Sequence, residues 1–411
     1  MLDLTPYIRP GDRVLVQQGC GEPSTLVEAL IAAHARVGPF ETFVGPLFSP
    51  LFDGEAAAEM RFASYGAMGR AAKLARAGRL DQWPLHYSAL DGGVARGEIR
   101  ADVVLLHLAR GPNGRLAAVL SNDFAVTAAP RARCVIAEVN ARAPFVSGAE
   151  IDPALRIDLM IESDCDPVAL PPASIGQAEA AIGAHVAALV PDCATIQTGI
   201  GAIPDAILDA LSGHRDLGVH SGLIGDRVMD LMQRGVVTNA AKSLDTGFTV
   251  TNTIFGTSAL YRFADGNSAL RLVPTSYSHA HAIIAGQNRM TAINAAIEVD
   301  LAGNINAESV EGQPIGGTGG LVDFSRGARA SDGGHAIVAL RATGRTPDVA
   351  RIVPRVATVT VAKTDADVIV TEYGAADLRN LGRADRAKAM IAIAAPQHRE
   401  ALERAFAEGQ A

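Results

Sequence analysis

Short, continuous apolar runs alternate with longer Ala/Leu-rich stretches along most of the chain. "RVLVQQG" (13–19) leads into "STLVEALIAAHARV" (24–37), and "DVVLLHLA" (102–109) and "CVIAEVN" (134–140) follow. Later "TIQTGIG" (195–201) leads into "PDAILDALSG" (204–213), and then come "AIVALRA", "TVTVAK" and "DVIVTEYG". Runs of about four to seven apolar residues are too short for buried helices, and without alternation they predict strands covered on both faces. Strands of this kind separated by helical stretches predict an α/β protein built on parallel sheet.

The pattern also repeats. Laying 12–30 over 192–211 puts Asp12, Gln17, Gly19 and Gly21 on Asp192, Gln197, Gly199 and Gly201. After one inserted residue, Pro23, Ala29 and Leu30 fall on Pro204, Ala210 and Leu211. Gly and Ala matches come cheaply in so Ala-rich a chain, but Gln, Gly, Gly and Pro in register at one strand-to-helix junction predict an internal duplication. With 411 residues, two domains are expected on size alone. Pro167, Pro171 and Pro172 mark the linker, giving domains 1–172 and 173–411.

Composition narrows the partners. A net charge of −8 with no long basic run argues against nucleic acid and against a membrane surface. No apolar run approaches the ~18–20 residues of a membrane span. The first residues, "MLDLTPYIRPGD", hold Asp3 and no apolar core, so no secretory leader is expected there. Cys20, Cys134, Cys165 and Cys193 lie far apart, which predicts a reduced, cytoplasmic protein with neither a disulfide framework nor a zinc site. No metal is expected.

Two glycine-rich turns carry the candidate binding chemistry. In "QTGIGAIPDAIL" the residues Gln197, Gly199, Ile200 and Gly201 open a helix whose free N–H groups and dipole favour an anion. A tight turn chosen for packing is the competing reading. In "GQPIGGTGGLVDFSRGA" the residues Gly316, Gly317, Gly319 and Gly320 crowd into five positions, a costly run for a plain connection. It would suit an anion nest or an oxyanion hole beside a thioester carbonyl.

These stretches, together with "LGVHSGLIGDRVMDLMQRGVVTN", "AAIEVDLAGNINAES", "ARIVP", "VTEYGAADLR", "GCGEPSTLVEAL" and "FASYGAMGRA", resemble the acetyl-CoA hydrolase/transferase family over nearly the whole chain. The resemblance implies a class I CoA-transferase fold of two similar open α/β domains, acyl-CoA and small carboxylic acids as substrates, coenzyme A binding and a homo-oligomer. It also implies a glutamate nucleophile that forms a glutamyl-CoA thioester, following the His-Ser/Thr of a Gly-x-His-Ser/Thr-Glu stretch. Here that stretch reads Gly218, Val219, His220, Ser221, Gly222.

Glycine cannot attack a thioester. Its small size predicts open space at position 222, for water or a larger acyl group. The family's usual pattern is also broken at Leu321, His335, Arg341 and Ala342, which reads as a rebuilt catalytic face. Substitutes for the missing carboxylate are His220, which titrates near neutral pH, and Glu22 and Glu138, whose burial would raise their pKa toward neutrality. Structural roles compete for all three. Cys20 would gain reactivity at a helix N-terminus, and Asp226 reads as an N-cap. His279 and His281 on an expected strand give a weak metal signal, while Glu372 and Tyr373 read as securing the C-terminal segment. Three functions stay open: acyl-CoA hydrolysis or carbon–carbon chemistry without a glutamyl intermediate, CoA transfer with another nucleophile, and acyl-CoA binding without catalysis. Leu321 and His335 favour the first.

Overall fold

The computed structural model describes residues 2–410. It divides into two compact units, each centred on a parallel sheet. The first comprises residues up to 171 with 250–278 and 314–319, and the second 172–249, 279–313 and 320 onward. Neither unit is therefore a continuous stretch. The change of unit at 171/172 falls at the proline-marked linker, while 250–278 and 314–319 group with the first half.

In the first unit the spatial order is Leu80–Gln82, Arg61–Ser64, Glu41–Phe43, Arg13–Val16, Val103–Arg110, Cys134–Asn140, Leu159–Ser163, all parallel. Leu116–Ala118 pairs antiparallel with Val103–Arg110. The central strands are buried on both faces because alternate residues feed two separate cores. Val14, Val16, Val103, Leu105 and Ile136 join one, and Leu15, Val104, Leu106, Val135 and Ala137 the other. This two-sided burial is why these strands read as unbroken apolar runs.

Within the second unit the order is Gly218–Ile224, Thr195–Gln197, Met290–Ala295, His335–Ala339, Val368–Thr371, parallel throughout. Gly374–Asp377 closes this edge antiparallel. Thr195–Gln197 thus lies between the next strand and a much later one, just as Arg13–Val16 lies between Glu41–Phe43 and Val103–Arg110. The two units share one topology. Gln17 directly follows Arg13–Val16, and Gln197 ends the corresponding strand of the second unit. The duplicated α/β architecture expected from the repeat is what the chain adopts.

Candidate functional site

Open parallel sheets place ligands at the carboxyl ends of their strands, and in the second unit that edge gathers most of the candidates. Strand Gly218–Ile224 ends there. Its two-residue period puts His220 and Gly222 on one face and Ser221 on the other. Ser221 Oγ lies 2.6 Å from Leu223 O and 3.1 Å from Thr198 O, tying the strand end to the turn after Thr195–Gln197. Thr198 and Leu223 also form an antiparallel bridge. Gln197 and Asn294 exchange amide hydrogen bonds at 3.2 Å, which fixes the start of the turn. Gly201 caps helix Ala202–Ala210 at φ 115°, a conformation L side chains avoid, with no atom within 4 Å of where a Cβ would stand. The turn Gln197–Gly201 is therefore adjacent to Gly222, and it presents a helix N-terminus to open space.

Position 222 is not open space. A Cβ built on Gly222 would stand 2.8 Å from His279 Nε2 and 3.0 Å from His279 Cε1. One built on Gly320 would stand 2.6 Å from the same Nε2 and 2.7 Å from Cδ2. The imidazole edge Cε1–Nε2–Cδ2 thus lies against both glycines, with Nε2 nearest to each. Phe324 packs edge-on against the His279 ring at 5.0 Å between centroids and stands 6.4 Å from the His220 ring. Burial, and then the neighbouring His220, push the His279 pKa down to about 3, so the ring is neutral across the physiological range. Gly222 and Gly320 leave room for this ring, and the expected vacancy is filled.

Other expectations also change. His279 lies between helices Thr275–Ser278 and His281–Ala285 rather than on a strand. Among the described residues no three His, Cys, Asp or Glu side chains group as a metal site. Leu321 opens helix Leu321–Ala330 but buries its side chain in the core with Val338 and Leu340, so it does not shape a pocket. His335 is the first residue of its strand, at the end opposite the site, where its Nδ1 stands 2.7 Å from the Arg379 guanidinium. Arg341 pairs with Glu179, and Ala342 N donates to Glu372 at 2.8 Å, which anchors the segment as expected for Glu372. Tyr373 is half-exposed, with the Arg399 guanidinium 5.9 Å from its ring centre. Asp226 is the first residue of its helix, and Gly225 is the cap. Leu321 and His335 therefore do not face this edge, while Arg341 and Ala342 follow the carboxyl end of their strand and are held by Glu179 and Glu372.

Glu22 and Glu138 belong to the first unit. Glu138 accepts from Thr25 N at 3.0 Å, Leu26 N at 3.2 Å, Thr25 Oγ1 at 2.9 Å and Ser163 Oγ at 2.8 Å. It anchors the N-terminus of helix Ser24–Val37, a structural use of a buried carboxylate. Glu22 is fully buried and accepts from Ser49 Oγ. Burial raises its pKa to about 7, the Ser49 hydrogen bond opposing and the Glu138 charge adding to the rise. Cys20 is buried in the turn Gly19–Gly21, before the helix rather than at its N-terminus. Gly316, Gly317 and Gly319 also belong to the first unit. Gly316 O accepts from Ala67 N at 2.8 Å, Gly317 bridges Gly66, and Gly319 O accepts from Tyr87 N at 2.9 Å. Sequence reasoning missed His279 as a residue of this site, and missed Phe324 and Asn294 altogether.

Comparison with known proteins bears on this geometry. Residues 2–172 match the acetyl-CoA hydrolase/transferase N-terminal domain, and residues 256–406 its C-terminal domain. The chain is 37% identical over 333 residues to 4-hydroxybutyrate coenzyme A transferase of Clostridium kluyveri, covering 80% of this chain and 78% of that protein. The crystal structure of RipA from Yersinia pestis is similar at 29% identity and a TM-score of 0.91, covering 99% of this chain and 96% of that one. A 4-hydroxybutyrate CoA-transferase from Porphyromonas gingivalis is similar at 30% identity and a TM-score of 0.81, covering 98% and 95%.

Proposed function

The chain belongs to the acetyl-CoA hydrolase/transferase family, and from that premise we propose that it hydrolyses an acyl-CoA without a glutamyl-CoA intermediate. The observation that carries this reading is the contact of Gly222 with His279. Position 222 offers no carboxylate, and the imidazole tip occupies the space through which a side chain there would leave the backbone. Water then takes the nucleophile's part. Its oxygen attacks the thioester carbon, the carbon–sulfur bond breaks, and CoA leaves as the thiol while the acid and a proton go to solvent.

A ring with a pKa of about 3 is a poor proton store near neutral pH. Its part in this reading is steric: the ring fills the space beside Gly222 and Gly320, where a side-chain nucleophile would otherwise stand. The anionic ligand is held at the turn formed by Gln197, Gly199, Ile200 and Gly201 and at the start of helix Leu321–Ala330 by Gly320. These two helix N-termini favour negative charge. The acyl group belongs to the small carboxylic acids.

The test is a panel of acyl-CoA esters, with and without acetate, with every CoA species followed by mass spectrometry and borohydride added to trap thioesters on the protein. Free CoA formed at a rate independent of acetate is expected. Acetyl-CoA appearing only with acetate, or a trapped adduct at Glu22 or Glu138, overturns the reading in favour of transfer.

A further inference from the structure

The second unit holds a cavity of about 610 Å³ whose lining includes Arg355, Lys363, Arg383 and Arg386. Four basic side chains around one cavity are notable in a chain with 36 basic and 44 acidic residues. Among the described residues, the lining's one carboxylate is Asp300, and it is buried and committed locally. Its Oδ1 accepts from Ala302 N at 3.0 Å and Asn304 N at 2.8 Å, and its Oδ2 from Asn304 Nδ2 at 2.9 Å. The cavity therefore has a positive lining whose acid is turned onto its own turn.

Two of the cations are held in place. Arg386 Nη1 donates to Ala302 O at 3.1 Å and Lys363 O at 2.8 Å. The Arg383 guanidinium lies 5.7 Å from the Phe406 ring centre. Arg383 also opens helix Arg383–Ala392, which adds that helix's N-terminal dipole to the same wall. The opposite character is present as well: Val356, Val359 and Leu381 line the cavity, and Val359 is 53% exposed. The volume suits a ligand much larger than a single phosphate ion. Fixed guanidinium forks match phosphate oxygens, and an uncovered apolar wall suits a base or sugar.

We propose that this cavity binds a phosphate-bearing ligand of nucleotide size. The basic side chains hold its phosphates, and the valine wall faces its apolar part. This goes beyond the proposed hydrolysis and does not depend on it. The same chemistry has two sources, the nucleotide end of the CoA substrate or a separate nucleotide.

The experiment measures ADP and inorganic pyrophosphate binding to the full chain by calorimetry, in the wild type and in Arg355→Glu/Lys363→Glu. Both substitutions fall on exposed side chains, so an unchanged melting temperature without ligand is expected. Binding to the wild type, weakened at least ~10-fold in the variant and by added salt, is expected for charge reversal in such a site. If the KM for acyl-CoA rises in parallel, the ligand is the substrate's own nucleotide end. If KM is unchanged while ADP binding is lost, it is a separate nucleotide. No binding of either probe to the wild type at millimolar concentration, or equal binding to the variant, overturns the proposal. Because binding is read directly, an enzyme that fails to hydrolyse thioesters leaves this test intact.

Discussion

Adding one methyl group at position 222 probes the site directly. In Gly222→Ala the new Cβ meets His279 Nε2 at 2.8 Å, His279 Cε1 at 3.0 Å and Phe324 Cε2 at 3.4 Å. The backbone of Gly222 is not in the left-handed region, so the cost is steric rather than conformational. The imidazole is buried and confined by Gly320 and Phe324, so it cannot swing aside freely. Overpacking of this kind costs ~1–3 kcal/mol, offset in part by the ~0.5–1 kcal/mol that alanine gains over glycine within a strand. In a His279→Ala background the obstacle is gone, and the same methyl should be neutral or stabilising by up to ~1 kcal/mol. The coupling between the two substitutions is therefore expected at about 1–3 kcal/mol, typical of residues in direct contact. Urea unfolding of the wild type, both single variants and the double variant measures it, provided the m-value is unchanged. If Gly222→Ala costs the same in both backgrounds, within ~0.5 kcal/mol, the two residues do not touch and the reasoning about the filled position fails.

Three further outcomes follow from the same geometry. His279→Ala empties the space beside Gly222 and Gly320, so it should destabilise the fold by ~2–5 kcal/mol in urea melts. Glu22 has a folded pKa raised to about 7, above the unfolded value. The folded state then binds the extra proton between about pH 4.5 and 7, and stability falls as pH rises through that window. Glu22→Gln should therefore be more stable than wild type by a few kcal/mol at about pH 8, with the difference vanishing below about pH 4.5, as checked by urea melts across pH. Glu138→Ala removes the acceptor of five hydrogen bonds, three of them from the start of helix Ser24–Val37. It should destabilise by ~3 kcal/mol or more, whereas a catalytic role would add a loss of turnover in the folded fraction.

Much of the fold is legible in the chain because its cause is local. Two-sided burial makes Val103–Arg110 and Cys134–Asn140 continuous apolar runs, and a helix opening directly after a strand leaves related glycine-rich turns after Gln17 and Gln197. That position 222 carries glycine and no carboxylate is legible too. Its filling by His279 is not, because the ring arrives from a segment remote in sequence and only the Cβ positions of Gly222 and Gly320 reveal it. Leu321 and His335 misled for a related reason. Sequence marks them as changed, but only the helix phase sends Leu321 into the core, and only strand direction puts His335 at the far end. Glu138 reads as a buried acid in either role, and only the structure shows the helix N–H groups that it accepts from.

The central claim is that water, and no protein carboxylate, supplies the oxygen of the released acid. A single turnover with enzyme in excess over acyl-CoA, run in ¹⁸O-water and quenched for mass spectrometry, tests it most directly. The expected result is one ¹⁸O atom in the acid and none in any glutamate or aspartate of the protein. Unlabelled acid from that first turnover, with ¹⁸O appearing in a side-chain carboxylate, would contradict the account.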